Sequence, residues 1–459
     1  MKQKNRTNNS LEELGTESVG RLLWKYVVPA IVGLLTYALY NIVDRIFIGQ
    51  FQGQTGLSAL TIVYPALMIY FSSALLIGGG GSALISLRLG ENNEREASKI
   101  LGNAITMGVF ISAAISIFGL LFAKETLLLL GANDEMFPYA MDYYRILLLG
   151  IPFMALGFAL TFTIRAEGNP RLAVYLMLVS SITNIILDPI FIIGFSMGVK
   201  GAAWATFIAE AFAFFLAVRY YAAGKSNLKI RPNDFIPRKN LCKQIFLLGL
   251  PACITDMMMG LQSLLMNLQL VKHGGTVAVA SMGIVFAVYT VAQMPMFAIA
   301  DGFQPILGYN YGAGNFARVR RTVLMVMLMI IGISVLLIVP VVLRPGLLGK
   351  VFTSDAEVLA IATKGLRYFM LGLPFFGLYF CGTRYFQSIE KAGIANLLSF
   401  SKPFVFFVPI LYISAWAWGL DGIWLTEPVS LFLGSLLVSV LYFYPPSQKT
   451  TGLPQDNSI

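Results

Sequence analysis

Long apolar runs, each broken by a short polar or Gly/Pro-containing segment, make up most of the chain. Twelve of them can cross a bilayer as helices: 26–49, 57–80, 100–122, 139–163, 171–194, 200–222, 244–271, 277–308, 322–343, 362–387, 394–414 and 421–444. A hydrocarbon core of about 30 Å is spanned by roughly 20 helical residues. Several runs are longer, which allows tilt without setting its angle. Residues 1–20 are polar, and no short apolar core with a small-residue cleavage site follows them, so a secretory signal is not expected.

Composition narrows the function classes. Of 459 residues, 57% are hydrophobic and 12% charged, about half the charged share of a soluble domain. So few charges cannot cover so much apolar surface in water, which excludes disorder, a secreted disulfide scaffold and an ordinary cytosolic enzyme. Cys242, Cys253 and Cys381 have no metal-ligand spacing, and the lone His273 argues against a histidine-ligated metal or a histidine triad. The net charge of +10 is concentrated between the apolar runs, so it points to topology and not to nucleic acid. With the N-terminus inside, 23 of the 33 Lys and Arg residues fall on the cytoplasmic side and eight outside. The positive-inside rule therefore places both termini in the cytoplasm of a cell (inner) membrane protein.

The halves repeat. At a shift of 222, Pro29 meets Pro251, Gly80 meets Gly302, Gly90 meets Gly312, Asn93 meets Asn315, and Pro152-Phe153 meets Pro374-Phe375; at 221, Gly198 and Gly201 meet Gly419 and Gly422. Gly and Pro mark special backbone positions, so a shared register carries structural meaning. Six spans per half make the repeat parallel about the membrane normal. The expected fold is an all-α membrane protein of twelve helices in two six-helix lobes related by pseudo-two-fold symmetry. It divides into a cytoplasmic tail (1–20), an N-lobe (21–222), a cytoplasmic linker (223–243), a C-lobe (244–445) and a second cytoplasmic tail (446–459). Two such lobes facing across a cleft suit alternating access, which favours a secondary transporter over an enzyme or a channel.

Ionisable residues inside spans are costly and point to function. They are Asp44 and Arg45 (span 1), Asp188 (span 5), Glu210 (span 6), Asp256 (span 7), Asp301 (span 8) and Glu427 (span 12), with Lys402 in or at the edge of span 11. Helical rise puts Asp44 about 28 Å past Lys25, Asp188 about 26 Å past Arg171, and Thr206 about 9 Å from Lys200 on the opposite face. All three estimates fall in the outer third of the membrane. Asn184 and Asp188, four residues apart, share a helix face. Paired carboxylates in low dielectric take a proton or are bridged by a cation, and Asn and Thr oxygens can complete the shell of a hard cation. Asp44, Asn184, Asp188 and Thr206 are thus the candidate coupling site for H⁺ or Na⁺. No other cofactor and no structural metal are expected.

Pro29 removes a helical hydrogen bond and favours a kink, making it a candidate hinge in span 1. The repeat places Met266 opposite Asp44, Val408 opposite Asp188 and Glu427 opposite Thr206, so cation coupling is expected mainly in the first lobe. Asp256, near mid-depth, could attract a cationic substrate. Met259 and Met282, within methionine-rich spans 7 and 8, could line an adaptable cleft. Gly78–Gly81 lacks the surroundings of a phosphate loop and reads as close helix packing.

These residues together resemble the MATE (multidrug and toxic compound extrusion) family, most closely its DinF branch and MepA-type bacterial relatives. The resemblance rests on Pro29 with Tyr40-Asn41-Ile42-Val43-Asp44, on Asn184-Ile-Ile-Leu-Asp188-Pro189, on Gln304-Pro305 with Gly308-Tyr-Asn-Tyr-Gly-Ala-Gly314-Asn315, on Arg165-Ala-Glu-Gly168-Asn-Pro170 and on Val351-Phe-Thr-Ser-Asp355. It covers about 20–445. It implies cation-driven antiport of amphipathic, often cationic organic compounds out of the cell, with Asp44, Asn184, Asp188 and Thr206 as the first-lobe cation site, Pro29 as the span 1 proline, and Tyr37 and Tyr40 as aromatic lining. Span 10 lacks the acid of the NorM branch, so a second-lobe cation site is not implied. Small-molecule drugs or organic cations and the lipid bilayer are the expected partners, nucleic acid is not, and a monomer is expected. A flippase or exporter of a lipid-linked or endogenous substrate is the alternative on the same fold; it predicts a strongly cationic cleft.

Overall fold

Apolar sequence in lipid must satisfy its backbone polar groups internally, and helices do so within each segment. The computed structural model describes residues 11–344 and 355–444. The basic residues Lys2, Lys4, Arg6, Lys350 and Lys449, the 446–459 tail and Val351–Ser354 lie outside the described residues. Among those described, the chain is helical without strands. The spanning helices are α1 Val19–Gly53, α2 Thr55–Gly90, α3 Glu94–Leu121, α4 Phe137–Ala166, α5 Pro170–Gly194, α6 Val199–Ala222, α7 Lys239–Gly275, α8 Val277–Gly312 and α9 Phe316–Leu343. They continue with α10, bent by 41° between Ala356–Leu371 and Leu373–Ser388, then α11 Ala392–Trp418 and α12 Leu420–Phe443. Among the described residues, eleven of these are long and apolar enough to span alone, and the bent pair taken as one span makes the twelfth. Exposed Leu324, Leu328, Ile331, Val335 and Leu336 form an apolar face on α9.

Backbone conformation repeats with the sequence. Gly53 (φ 64°) separates α1 from α2, and Gly275 (φ 62°) separates α7 from α8. This is a region that side chains with a Cβ rarely enter. Gly198 and Gly419 (both φ 56°) precede α6 and α12. Asn93 and Asn315 cap α3 and α9 alike, each side-chain oxygen accepting from the backbone N–H three residues on, at 3.0 Å from Glu96 and 3.3 Å from Arg318. The two halves are therefore copies in backbone as well as in residue pattern, giving two lobes of six helices.

The lobes cross-pack at the end where the N-terminus enters. Leu22, Leu23, Tyr26 and Val27 of α1 are buried in the core of the C-lobe. Leu241, Ile245 and Leu248 of α7, the repeat of α1, are buried with α2, α3 and α4 of the N-lobe. At the other end the N-lobe closes its own core from α1, α2, α4, α5 and α6. Two glycines permit the cross-packing: a Cβ on Gly90 would lie 2.0 Å from the Tyr309 carbonyl oxygen, and one on its repeat partner Gly312 would lie 2.1 Å from that of Leu87.

The segment between α6 and α7 is fastened to the N-lobe. Asp234 is fully buried and accepts two bonds from Arg95 at 2.6 Å each and one from the Arg231 backbone at 2.7 Å. Burial pushes its carboxyl up, but these donors hold it below the usual range. Glu167, in the α4–α5 turn, accepts from Ser226 Oγ at 2.5 Å and from the Asn227 backbone at 3.1 Å.

Candidate functional site

Helices α1, α5 and α6 bring the predicted coupling residues near one another. Asp188 is fully buried, Asn184 is 2% exposed and Asp44 6%. The Asn184 side-chain amide donates to Thr206 Oγ1 at 3.2 Å and, at the long end of the range, to Asp188 Oδ1 at 3.4 Å. Asp44 and Asp188 lie within electrostatic reach of each other. α5 continues through Pro189 into a π-helical turn, Ile190–Gly194, so Asp188 sits within the helix and does not cap its end.

Three buried oxygens here, Asp44 Oδ1, Asn184 Oδ1 and Asp188 Oδ2, have no hydrogen-bond partner among the described residues. An unsatisfied buried acceptor costs about 1–3 kcal/mol, more if charged, so three at one level call for a positive or donating guest. The Arg45 charge reaches Asp44 only from a distance; its guanidinium lies over the Tyr64 ring, 5.7 Å from the centroid. A proton on either carboxyl, or a hard cation among the oxygens, fits the donor set.

The walls are aromatic. Tyr37 meets Tyr40 edge-on at 4.9 Å, and Tyr37, Phe71 and Phe158 form a triangle of ring contacts at 5.0–6.3 Å. Buried Glu210, which accepts from Ser180 Oγ at 3.0 Å, is within electrostatic reach of Tyr37 and Tyr40. Tyr143, on α4, lies near both Asp44 and Asp188. Sequence reasoning missed Tyr143, Phe71 and Phe158; they are apolar or aromatic residues of ordinary spans, and only helix packing brings them here.

The remaining candidates are dispersed. Pro29 lies in α1, whose backbone stays helical until Gly53. Asp256 on α7 accepts from Ser72 Oγ of α2 at 2.5 Å, so it joins the lobes. Met259 lines a cavity in the C-lobe, whereas Met282 is buried in the C-lobe core. Asp301 on α8 is held between Arg165 of α4 (3.4 Å) and Arg384 of α10 (3.2 Å), a charge cluster that bridges the lobes. Lys402 on α11 pairs with Glu427 on α12 at 2.9 Å, both nearly buried.

Comparison with known proteins agrees with this architecture. A family model, MatE, matches the chain twice, over residues 29–190 and 251–413. The multidrug export protein MepA of Staphylococcus haemolyticus (strain JCSC1435) is 28% identical over 425 residues, covering 92% of this chain and 93% of that protein. MepA of Staphylococcus aureus (strain MSSA476) is 28% identical over 427 residues, covering 92% and 94%. Among solved structures, a MATE protein in complex with MaL6 superposes with a TM-score of 0.88 at 22% identity, covering 94% of this chain and 99% of that one. A mutant of the Vibrio cholerae MATE transporter VcmN gives 0.87 at 24%, covering 95% and 97%. An outward-facing multidrug resistance MATE transporter of the MOP superfamily gives 0.88 at 22%, covering 94% and 98%.

Proposed function

The chain belongs to the MatE family of multi-pass membrane transporters, and from that premise we propose that it is a cation-coupled antiporter exporting amphipathic, often cationic organic compounds by alternating access. The observation that carries the proposal is the trio of orphaned oxygens on Asp44, Asn184 and Asp188. With Asn184 tying α5 to α6 through Thr206, a proton or Na⁺ arriving at Asp44 and Asp188 cancels charge on α1 and α5 together. Neutralisation relieves the repulsion between the two carboxyls and lets the helices close, displacing a cationic guest from the aromatic wall of Tyr37 and Tyr40. Loss of the cation restores negative charge and favours recapture. The export of drugs by the MepA relatives supports the substrate class.

Lysine and arginine placement supports cytoplasmic termini in the cell membrane, with 21–222 and 244–445 as the lobes and 223–243 as the linker; a monomer is proposed as the working unit. In that orientation the cross-packed end is cytoplasmic and the conformation outward-facing. A lipid-linked pyrophosphate is less well served, since the unpartnered buried atoms of Asp44, Asn184 and Asp188 are acceptors.

Dye uptake by everted vesicles, with ΔpH and ΔpNa clamped separately, tests the reading. Wild type is expected to respond to one gradient, and Asp44→Asn to lose at least tenfold in gradient-driven transport. Undiminished coupled transport by that variant would remove the mechanism.

A further inference from the structure

The C-lobe contains an ammonium already bound, and it belongs to the protein. Lys402 Nζ donates to Glu427 Oε1 at 2.9 Å, to Glu427 Oε2 at 3.0 Å and to Gln262 Oε1 at 3.2 Å, and lies 5.4 Å from the centroid of the Phe407 ring. A carboxylate, an amide oxygen and an aromatic face are together what recognises an organic ammonium in a dry site. Beside this group is a cavity of about 60 Å³, walled by Met258, Met259, Phe286, Tyr289 and Phe380 among others. Two buried polar atoms on its lining, Gln262 Nε2 and Ser399 Oγ, have no hydrogen-bond partner among the described residues. The space and the spare groups are those of a ligand site, not of a filled core.

The position within the fold gives the pair meaning. Helices α11 and α12 repeat α5 and α6, and at a shift of 221 Glu427 occupies the place of Thr206. Where the N-lobe presents oxygens lacking a positive partner, the C-lobe supplies one on a lysine tether. Lys402 leaves from a π-helical turn, Ser401–Phe407, followed directly by Pro403. Such turns carry looser backbone bonding than an α-helix and cluster at functional sites. A buried ion pair gains little net stability over apolar packing, so stability alone does not account for one here.

We infer that the Glu427–Gln262–Phe407 site is a binding site for primary organic ammonium groups, and that Lys402 is its tethered occupant, displaced when a ligand ammonium enters. The aromatic and methionine wall takes the apolar body of the same ligand. The inference deepens the export reading by giving cationic compounds a C-lobe subsite, and rests on it only for the physiological substrate.

Chemical rescue tests it without any gradient. Full-length Lys402→Ala in lipid nanodiscs should bind n-butylammonium, which replaces the missing side chain, at least tenfold more tightly than wild type by calorimetry. Its melting temperature should rise with n-butylammonium and not with the neutral isostere n-butanol. If Lys402→Ala cannot be purified alone, addition of n-butylammonium during purification should restore its yield. The gain should vanish in Lys402→Met/Glu427→Gln, a neutral pair expected to fold because both charges leave together. Equal responses to amine and alcohol, a gain that survives loss of Glu427, or no rescue at all would overturn the inference, leaving a structural ion pair beside a water pocket. Failure of the export reading would show instead as wild type that moves no cationic dye under either gradient, an outcome independent of the rescue.

Discussion

Glu167, in the turn between α4 and α5, is a buried carboxyl outside the membrane with an oxygen left over. Its side chain is 1% exposed and its Oε1 has no hydrogen-bond partner among the described residues. Burial pushes its carboxyl up to about 7 from an ordinary value of 4.5, against the downward pull of the Ser226 hydroxyl and the Asn227 N–H. Below pH 4.5 the folded and unfolded chains both hold the proton and the contribution to stability is complete. Between pH 4.5 and about 7 only the folded chain holds it, so stability falls as pH rises, and above 7 the loss is constant. Its size is about 3 kcal/mol. In melting curves collected from pH 4.5 to 8, wild type should lose ground steadily to Glu167→Gln up to pH 7 and then run parallel. Parallel curves throughout would show that the carboxyl is ionised across the range. Such a group was not legible in the sequence, where Glu167 stands in a polar turn; its burial comes from residues about sixty positions later folding back over it.

Among the elements, the boundaries were the most legible part, because they are set by apolar length and by glycine. The twelve predicted runs match the twelve helices within a few residues at most ends, and the shared register of Pro and Gly carried over into paired backbone angles. α10 reads as one run, 362–387, but bends at Gly372, where its repeat partner α4 passes straight through Gly150. Partners across helices were not legible. The Asp301 cluster joins residues 83 and more positions apart, and Lys402 finds Glu427 only through the packing of α11 on α12. Gly275 tests the boundary logic cleanly. A Cβ there meets nothing within 4 Å, so Gly275→Ala should be destabilising through backbone strain alone, by about 1–2 kcal/mol. Gly53→Ala, at the repeat position and equally free of neighbours, should lower the melting temperature by a similar few degrees. An unchanged melting temperature in both would mean that these junctions adjust to ordinary backbone angles.

At the scale of the whole molecule, two independent features hold the terminal ends of the lobes together, and removal of either should shift the balance in one direction. The first is steric. Gly90 and Gly312 let α2 and α8 approach until backbone meets backbone, and an added methyl on Gly90, 2.0 Å from the Tyr309 oxygen, cannot be absorbed by rotating a side chain. The second is electrostatic. Asp301 lies between Arg165 of one lobe and Arg384 of the other, so Asp301→Asn leaves two buried guanidinium groups facing each other without an anion. Both contacts belong to the sealed arrangement, so each variant raises its energy relative to the alternative and leaves the lobes themselves intact. Spin labels at Glu94 of α3 and Lys391 beside α11 sit on opposite lobes at this end. In Gly90→Ala and in Asp301→Asn the distance distribution between them should gain a longer component, while Gly260→Ala, where a Cβ meets nothing, should leave it unchanged. A distribution that stays single and short in both variants would mean that apolar cross-packing of α1 and α7 alone holds the seal, with the glycines and the charge cluster only accommodating it.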